Sequence, residues 1–344
     1  MGAISMTWSL PSLTSSKLPR VNRYPGMAFA TVNKDTASLG VKVTEGLGNL
    51  PKVVLTSSHG SEAELYLYGG CVTSWKVGSK DLLFVRPDAV FNGQKPISGG
   101  IPHCFPQFGP GPMQQHGFAR NSNWSIVDSE NVDGSPVITL ELKDSPYSRS
   151  MWDYSFQALY KITLDKKSLS TELKITNTDK TAFSFTTALH TYFSVSVAAV
   201  SGASVRGLKG CKTLNKDPDP KNPVEGKEER YLVRLYQNLL LGVVFTVFDF
   251  SSQLQFARSR DVVTYPGFVD CVYLGAANEL YLDNGLGDII SIKNTNWPDA
   301  VLWNPHLTME ACYKDFVCVE NAQIGNVELE PEKSWVATQQ LSVG

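Results

Sequence analysis

Alternation of apolar and polar side chains narrows what this chain can fold into more than any other feature. Between residues 169 and 175, Leu169, Thr171, Leu173 and Ile175 take one face against Ser170, Glu172 and Lys174 on the other. A period of two belongs to strands, whose successive side chains point to opposite sides of a sheet. Residues 160–164 precede this run across Asp165, Lys166 and Lys167, so the two segments are predicted to form a hairpin. Similar strand-forming runs recur at residues 62–68, 137–143, 183–193, 289–293, 300–303, 316–320 and 334–338. No amphipathic helix longer than two turns stands out. Many short strands divided by Gly, Pro, Asn and Asp turns predict an all-β protein, a large antiparallel sandwich beginning near Leu39.

A net charge of −2 over 344 residues lacks the basic surplus that a phosphate backbone demands, which argues against nucleic acid as the main partner. The six cysteines, at 71, 104, 211, 271, 312 and 318, show no CxxC and no paired ligand spacing. Free thiols and no structural zinc are therefore expected. Residues 1–34 contain no Asp or Glu, carry Lys17, Arg20, Arg23 and Lys34, and are rich in Ser and Thr from Thr7 to Ser16. That is the composition of an organelle transit peptide, and sparse Arg favours the chloroplast over the mitochondrion. Residues 35–344 then form one stromal domain, expected to be monomeric. Within residues 231–260, the uncharged stretch 235–248 is apolar but falls short of the roughly 20 residues that span a bilayer, so no transmembrane segment is expected.

Residues 97–120 are dense in glycine and proline and lack periodicity. They are predicted to form a long ordered loop, not a packing element, that carries polar groups to a pocket. Gln115, His116 and Arg120 place an amide, an imidazole and a guanidinium within six residues. That set suits a polyhydroxylated, anionic small molecule. On the strand at 183–193, alternation turns Phe183, Phe185, Leu189 and Phe193 toward the core. His190 shares the opposite, small and polar face with Ser184, Thr186, Ala188 and Tyr192. Such a face fits the floor of a sugar cleft, although a lone strand histidine is also a common structural group. Glu320 ends the apolar run 316–320, where a carboxylate is costly unless paired or used. Burial would raise its pKa toward the range of a general base, whereas exposure would make it an ordinary solvated group. Asp270 has the same standing, and Arg120 is either a surface charge or a planar phosphate donor. His59, His103 and His306 carry weaker signals, and no Walker loop, dinucleotide fingerprint or nucleophile elbow is present.

Together these pieces resemble the aldose 1-epimerase (mutarotase) superfamily, in its glucose-6-phosphate 1-epimerase branch, with chloroplast members from plants most similar. The resemblance rests on Gly99-Gly-Ile-Pro-His-Cys-Phe-Pro-Gln-Phe-Gly109, Gln115-His-Gly-Phe-Ala-Arg120, Leu189-His-Thr-Tyr-Phe193, Gly267-Phe-Val-Asp-Cys-Val-Tyr273, Trp303-Asn-Pro305 and Val317-Cys-Val-Glu320. It implies a galactose mutarotase-like β-supersandwich and a cofactor-free, metal-free acid/base reaction on a small sugar phosphate. It further implies Glu320 as base, His190 as acid, Gln115, His116 and Asp270 as ligands of sugar hydroxyls, and Arg120 as phosphate ligand. The family pattern has Arg directly before Gly-Gly-Ile-Pro, where this chain has Ser98; Lys95 could stand in as a point charge but not as a fork. Residues 231–260 also depart from the pattern. Their apolar character suggests a retained intron or a lineage-specific insertion. A non-catalytic, carbohydrate-binding or structural subunit of a chloroplast complex is the competing reading, and the presence of both His190 and Glu320 argues for the enzyme.

Overall fold

A computed structural model describes residues 39–195, 202–217, 219–227 and 262–344. Residues 1–34, expected to be a transit peptide, and residues 231–260, expected to be an insertion, lie outside these described residues. The predicted hairpin forms between Phe156–Leu164 and Ser168–Asn177, with Leu169 opposite Leu164 and Ile175 opposite Ala158. Leu169, Thr171, Leu173 and Ile175 are all buried, as their shared parity requires.

This hairpin sits within an antiparallel sheet of nine strands. Their order is Val262–Thr264, Ser204–Arg206, Glu279–Asp283, Ile289–Thr295, Ser334–Val343, Ser168–Asn177, Phe156–Leu164, Ser135–Lys143 and Ser125–Val132. An eight-stranded sheet runs Val224–Lys227, Lys212–Asn215, Val269–Leu274, Asp299–Asn304, Phe316–Leu329, Phe183–Leu189 and His103–Cys104, with Tyr192–Ser194 also paired to Phe316–Leu329. Five further strands between Val41 and Asp81 make a smaller sheet. One apolar cluster draws on all three sheets, with Leu302 and Val319 from the second, Leu173, Ile292 and Leu341 from the first, and Val53 and Trp75 from the third. The architecture is the all-β antiparallel sandwich expected from the alternation. Among the described residues no helix is long and apolar enough to cross a membrane.

Three local expectations are corrected. The run containing Glu320 does not end there: Phe316–Leu329 is fourteen residues long, because neighbours on both sides continue to satisfy its backbone past residue 320. The segment 183–193 is two strands, Phe183–Leu189 and Tyr192–Ser194. At the break, the His190 and Tyr192 amides donate to the carbonyls of Pro102 and Gly100. The register against Phe316–Leu329 is the same on either side, with Leu189 opposite Asn321 and Tyr192 opposite Cys318. The parity of the two faces therefore survives, and His190 stands across from Glu320.

The third correction concerns residues 97–120, which do pack. Ile97, Ile101, Cys104, Phe105, Phe118 and Ala119 are buried between the glycines and prolines. Irregular backbone is tolerated there because its amides find specific carbonyls, such as Ile101 to Val72, Phe105 to His116 and Phe118 to Phe105. Close approach demands glycine at position 100, whose φ is +70° and where a Cβ would meet the Val72 carbonyl oxygen at 2.0 Å.

Candidate active site

Alternation gives the eight-stranded sheet two unlike faces. Leu189, Phe193, Val269, Cys271, Tyr273, Ala300, Leu302, Val317 and Val319 point into the main core. The intervening residues build the outer face. Register places Asp270 opposite Trp303, Trp303 opposite Cys318 and Cys318 opposite Tyr192, in one row across four strands. Beside it, Val272, Val301 and Glu320 form a second row that His190 completes.

Glu320 and His190 meet at the centre of this face. Oε1 of Glu320 lies 3.3 Å from Nδ1 of His190. Glu320 is 1% and His190 9% exposed, so Glu320 is not the solvated strand-end carboxylate that sequence left open. The pair lacks hydrogen-bond geometry, and Oε2 of Glu320 has no hydrogen-bond partner among the described residues. Burial drives the Glu320 carboxyl well above its usual range, while the charges of Lys216 and Arg120 pull it back. Burial pushes the His190 imidazole far below its usual value, with Arg120 and Lys216 adding to the effect. Removing charge from water thus favours a neutral acid beside a neutral imidazole.

Both groups are braced. The His190 ring stacks on Tyr192 at 4.9 Å and meets Trp303 edge-on at 5.6 Å. Behind the face, buried Gln339 of the nine-stranded sheet donates to Oδ1 of Asn321 at 2.8 Å and to Oγ1 of Thr191 at 3.4 Å. One side chain therefore ties together the residues that follow Glu320 and His190. Asn304 donates to the carbonyls of Tyr313 and Phe316 and accepts from the His306 amide, fixing the turn after Trp303.

Loop 97–120 brings its polar groups over the same face. The His116 ring lies 5.5 Å from that of His190, and its Nδ1 accepts from the Gly109 amide at 3.1 Å. Burial and the neighbouring His190, Arg120 and Lys216 hold His116 neutral. The residue adopts a φ of +66°, a conformation that costs a non-glycine side chain energy and that clusters at functional sites. The Gln115 amide reaches Nε2 of His116 at 3.3 Å. Arg120 donates from Nη2 to the Gln115 carbonyl at 2.7 Å, while its buried Nε has no hydrogen-bond partner among the described residues. Asp270 pairs with Lys216 at 3.1 Å, both largely buried; burial raises the Asp270 pKa and Lys216 opposes the rise. The Lys216 ammonium also lies 4.9 Å from the centre of the Phe108 ring. A cavity of about 600 Å³ opens here, lined in part by Phe108, Met113, Gln115, Lys216, Val272 and Ile324. His190 and Glu320 do not line it directly; Ile324 shares a strand face with Glu320, and Val272 shares its row.

The structure thus gathers His190, Glu320, Gln115, His116, Arg120 and Asp270. Ser98 is half-buried and its carbonyl accepts from the Arg86 amide, whereas Lys95 is exposed and its amide binds Oδ1 of Asn92. His59 is exposed, and His103 is buried in the core between Trp124 and Tyr160. Sequence reasoning missed Lys216, which between Asn215 and Asp217 reads as a solvated turn residue, and it did not single out Trp303 as a wall. All six cysteines are buried free thiols. Among the described residues, the donor atoms of His190, Cys318 and Glu320 lie within 4.8 Å of one another, a set that would suit zinc, although burial keeps the Cys318 thiol protonated.

Comparison with known proteins fits this arrangement. The sequence pattern of the family described as aldose 1-epimerase matches residues 51–342. A protein of Cenchrus ciliaris, provisionally named a glucose-6-phosphate 1-epimerase, is 33% identical over 315 residues, covering 86% of this chain and 84% of that protein. An Escherichia coli protein with the same provisional name is 29% identical, covering 76% of this chain and 79% of its own length. The crystal structure of YeaD from Salmonella typhimurium, provisionally a mutarotase, superposes with a TM-score of 0.69 at 25% identity, over 91% of this chain and 99% of that one. A galactose mutarotase-like protein from Clostridium acetobutylicum shares the fold at 13% identity, with a TM-score of 0.66 over 88% and 98% of the two chains.

Proposed function

The chain belongs to the aldose 1-epimerase family, and on that premise we propose that it interconverts the α and β anomers of glucose 6-phosphate through the Glu320–His190 pair. The observation that carries the reading is the buried approach of these two groups at 3.3 Å on a face otherwise shaped by aromatic and small residues. Glu320 takes the proton of the anomeric hydroxyl while protonated His190 gives one to the ring oxygen. The C1–O5 bond breaks with its electron pair going to oxygen, and C1 becomes a carbonyl. Rotation about C1–C2 presents the other carbonyl face, and the reverse transfers close the ring as the second anomer.

Counting protons ties the electrostatics to the mechanism. The pair begins as carboxylate and imidazolium, and stands as carboxylic acid and neutral imidazole while the chain is open. Burial favours the second arrangement, because each charged form is desolvated. The dry site therefore favours the proton arrangement of the open-chain stage, and Lys216 and Arg120 keep the starting carboxylate within reach. Gln115, His116 and Asp270 would hold sugar hydroxyls and Arg120 the phosphate. The names of the Cenchrus and Escherichia coli relatives support the choice of sugar.

Anomer exchange followed by NMR on glucose 6-phosphate and on glucose tests this reading. Exchange of the phosphorylated sugar well above its spontaneous rate is expected; no acceleration of either sugar overturns it. The acid-free leader further supports a place in the chloroplast stroma. An import assay with isolated chloroplasts checks this, and exclusion of the chain from the organelle overturns it.

A further inference from the structure

The segment from Leu83 to Arg86 runs along the outer-face residues just described. Leu83 bridges to Phe193 and Val85 to Gly99, while the Phe84 amide donates to the Tyr192 carbonyl at 3.1 Å. In extended backbone, side chains two apart share a face. Arg86 therefore falls on the side of Phe84, whose ring stacks on Phe316 at 5.2 Å in a cluster with Tyr192, Trp303 and Cys318. The Arg86 side chain is 17% exposed, yet its carboxylate partner, Asp88, is 63% exposed. The two form a fork, Nε to Oδ1 at 2.9 Å and Nη2 to Oδ2 at 2.5 Å. That is the bidentate geometry a guanidinium also offers to phosphate, and an exposed carboxylate two residues away holds it weakly.

The charges of Arg86 and Arg120 both reach the Tyr192 hydroxyl and oppose the rise in pKa that burial imposes on it. Tyr192 ends the row that starts at Asp270, so Arg86 acts at the opposite end from the Asp270–Lys216 pair, while the charge of Arg120 also reaches His116, His190 and Glu320 between them. Lys216 is already committed to a largely buried carboxylate, whereas Arg86 is held by a displaceable one.

We propose that Arg86 is a second phosphate-binding and specificity-determining residue of this site, acting with Arg120, and that Asp88 is a resident carboxylate which the sugar phosphate displaces from the Arg86 fork. The inference rests on the reading of a phosphorylated hexose as substrate.

Anomer exchange on glucose 6-phosphate and glucose in wild type and variants tests it. Arg86→Gln should lower the ratio of kcat/KM for phosphorylated over free sugar by about 10–100-fold, mainly through KM. Asp88→Asn should lower KM for the phosphorylated sugar and strengthen inhibition by inorganic phosphate. Ser98 neighbours Arg86 across the strand pair. The exchange Arg86→Ser with Ser98→Arg should therefore restore part of the preference, which a merely structural role would not predict. An unchanged ratio in Arg86→Gln, or equal losses on both sugars, overturns the proposal while leaving the anomerase reading intact. If Arg86→Gln does not fold, the decision passes to Asp88→Asn, where unaltered phosphate inhibition overturns it. Failure of the wild type to accelerate either sugar instead overturns the underlying function.

Discussion

The two faces of the eight-stranded sheet come from the same strands, residue by residue, yet they follow different rules. The inner face carries Leu189, Leu302, Val317 and Val319 into a dry core, where each contributes apolar burial. The outer face is also largely covered, but it buries Glu320, His190 and Asp270 among Trp303, Tyr192 and Cys318. A one-sided antiparallel sheet would leave polar residues on that face in water. Here residues 97–120 lie over it and remove much of the water, which shifts the proton affinities of its ionisable groups. One face is built for stability; the other gives up stability to hold groups in unfavourable ionisation states.

The sharpest way to separate the faces is to remove chemistry from one and packing from the other. His190→Ala and Glu320→Gln are each expected to lower kcat by about 10²–10⁴-fold, far more than they raise KM, as loss of general acid or base help would. Near wild-type exchange in either variant would falsify the assigned roles. Leu302→Ala on the inner face should instead cost about 2–5 kcal/mol of stability with the catalytic groups retained. Glu320→Gln should do the reverse. Its folded carboxyl binds a proton at pH values where the unfolded one has lost it, so its contribution to stability is present below the unfolded pKa and is lost as pH rises toward the folded one. The Gln variant escapes that loss, and its Tm relative to wild type should climb from pH 5 to pH 8. A Tm difference that falls over this range contradicts the buried, proton-holding state of Glu320.

Much of this division was legible from alternation alone. Parity assigned Phe185, Leu189 and Phe193 to one face and His190 to the other, and a carboxylate in the apolar run at Glu320 stood out on desolvation grounds. What the chain does not display is register. His190 and Glu320 lie 130 positions apart, and only the pairing of Tyr192 with Cys318 and Leu189 with Asn321 sets them opposite each other. Lys216 and Arg86 sit in short segments without a periodic signal, so their capture by the site depends on tertiary contacts. The density of glycine and proline in residues 97–120 pointed to a loop and hid its apolar residues, which pack as firmly as any strand.

The inner face holds a histidine of its own, and it offers a finer test. His103 pairs with Leu189, stacks on Trp124 at 4.9 Å and meets Tyr160 edge-on at 4.4 Å, all within the core. Burial pushes its pKa down to about 4. The unfolded chain therefore binds a proton that the folded one refuses between pH 6.5 and 4. Stability is complete above that window and falls as pH drops through it, by about 2 kcal/mol at pH 5 from this residue. His103→Phe keeps an aromatic ring and removes the proton site. Its Tm should hold up better than that of the wild type on acidification from pH 7 to 5, whereas parallel decline of the two proteins would show that His103 is already protonated or solvated in the fold.

The smallest expected effect lies at the rim of the outer face. Arg120 is only half-buried, with one nitrogen bonded to the Gln115 carbonyl and Nε without a hydrogen-bond partner. In the proposed complex it gives a charge-assisted contact to the phosphate, and partial exposure puts that contact near the lower end of its usual range, about 1.5 kcal/mol. Arg120→Ala should accordingly reduce the preference for glucose 6-phosphate over glucose by about tenfold, chiefly through KM. The same charge lowers the proton affinity of His190 as well as of Glu320, and His190 is the lower-titrating of the two, so the variant should also move the lower limb of the kcat pH profile upward. A role confined to the phosphate would leave that limb in place, and a role confined to electrostatics would reduce exchange equally on both sugars. Measuring both readouts on one variant distinguishes a rim residue that only binds substrate from one that also sets the proton balance at the centre of the face.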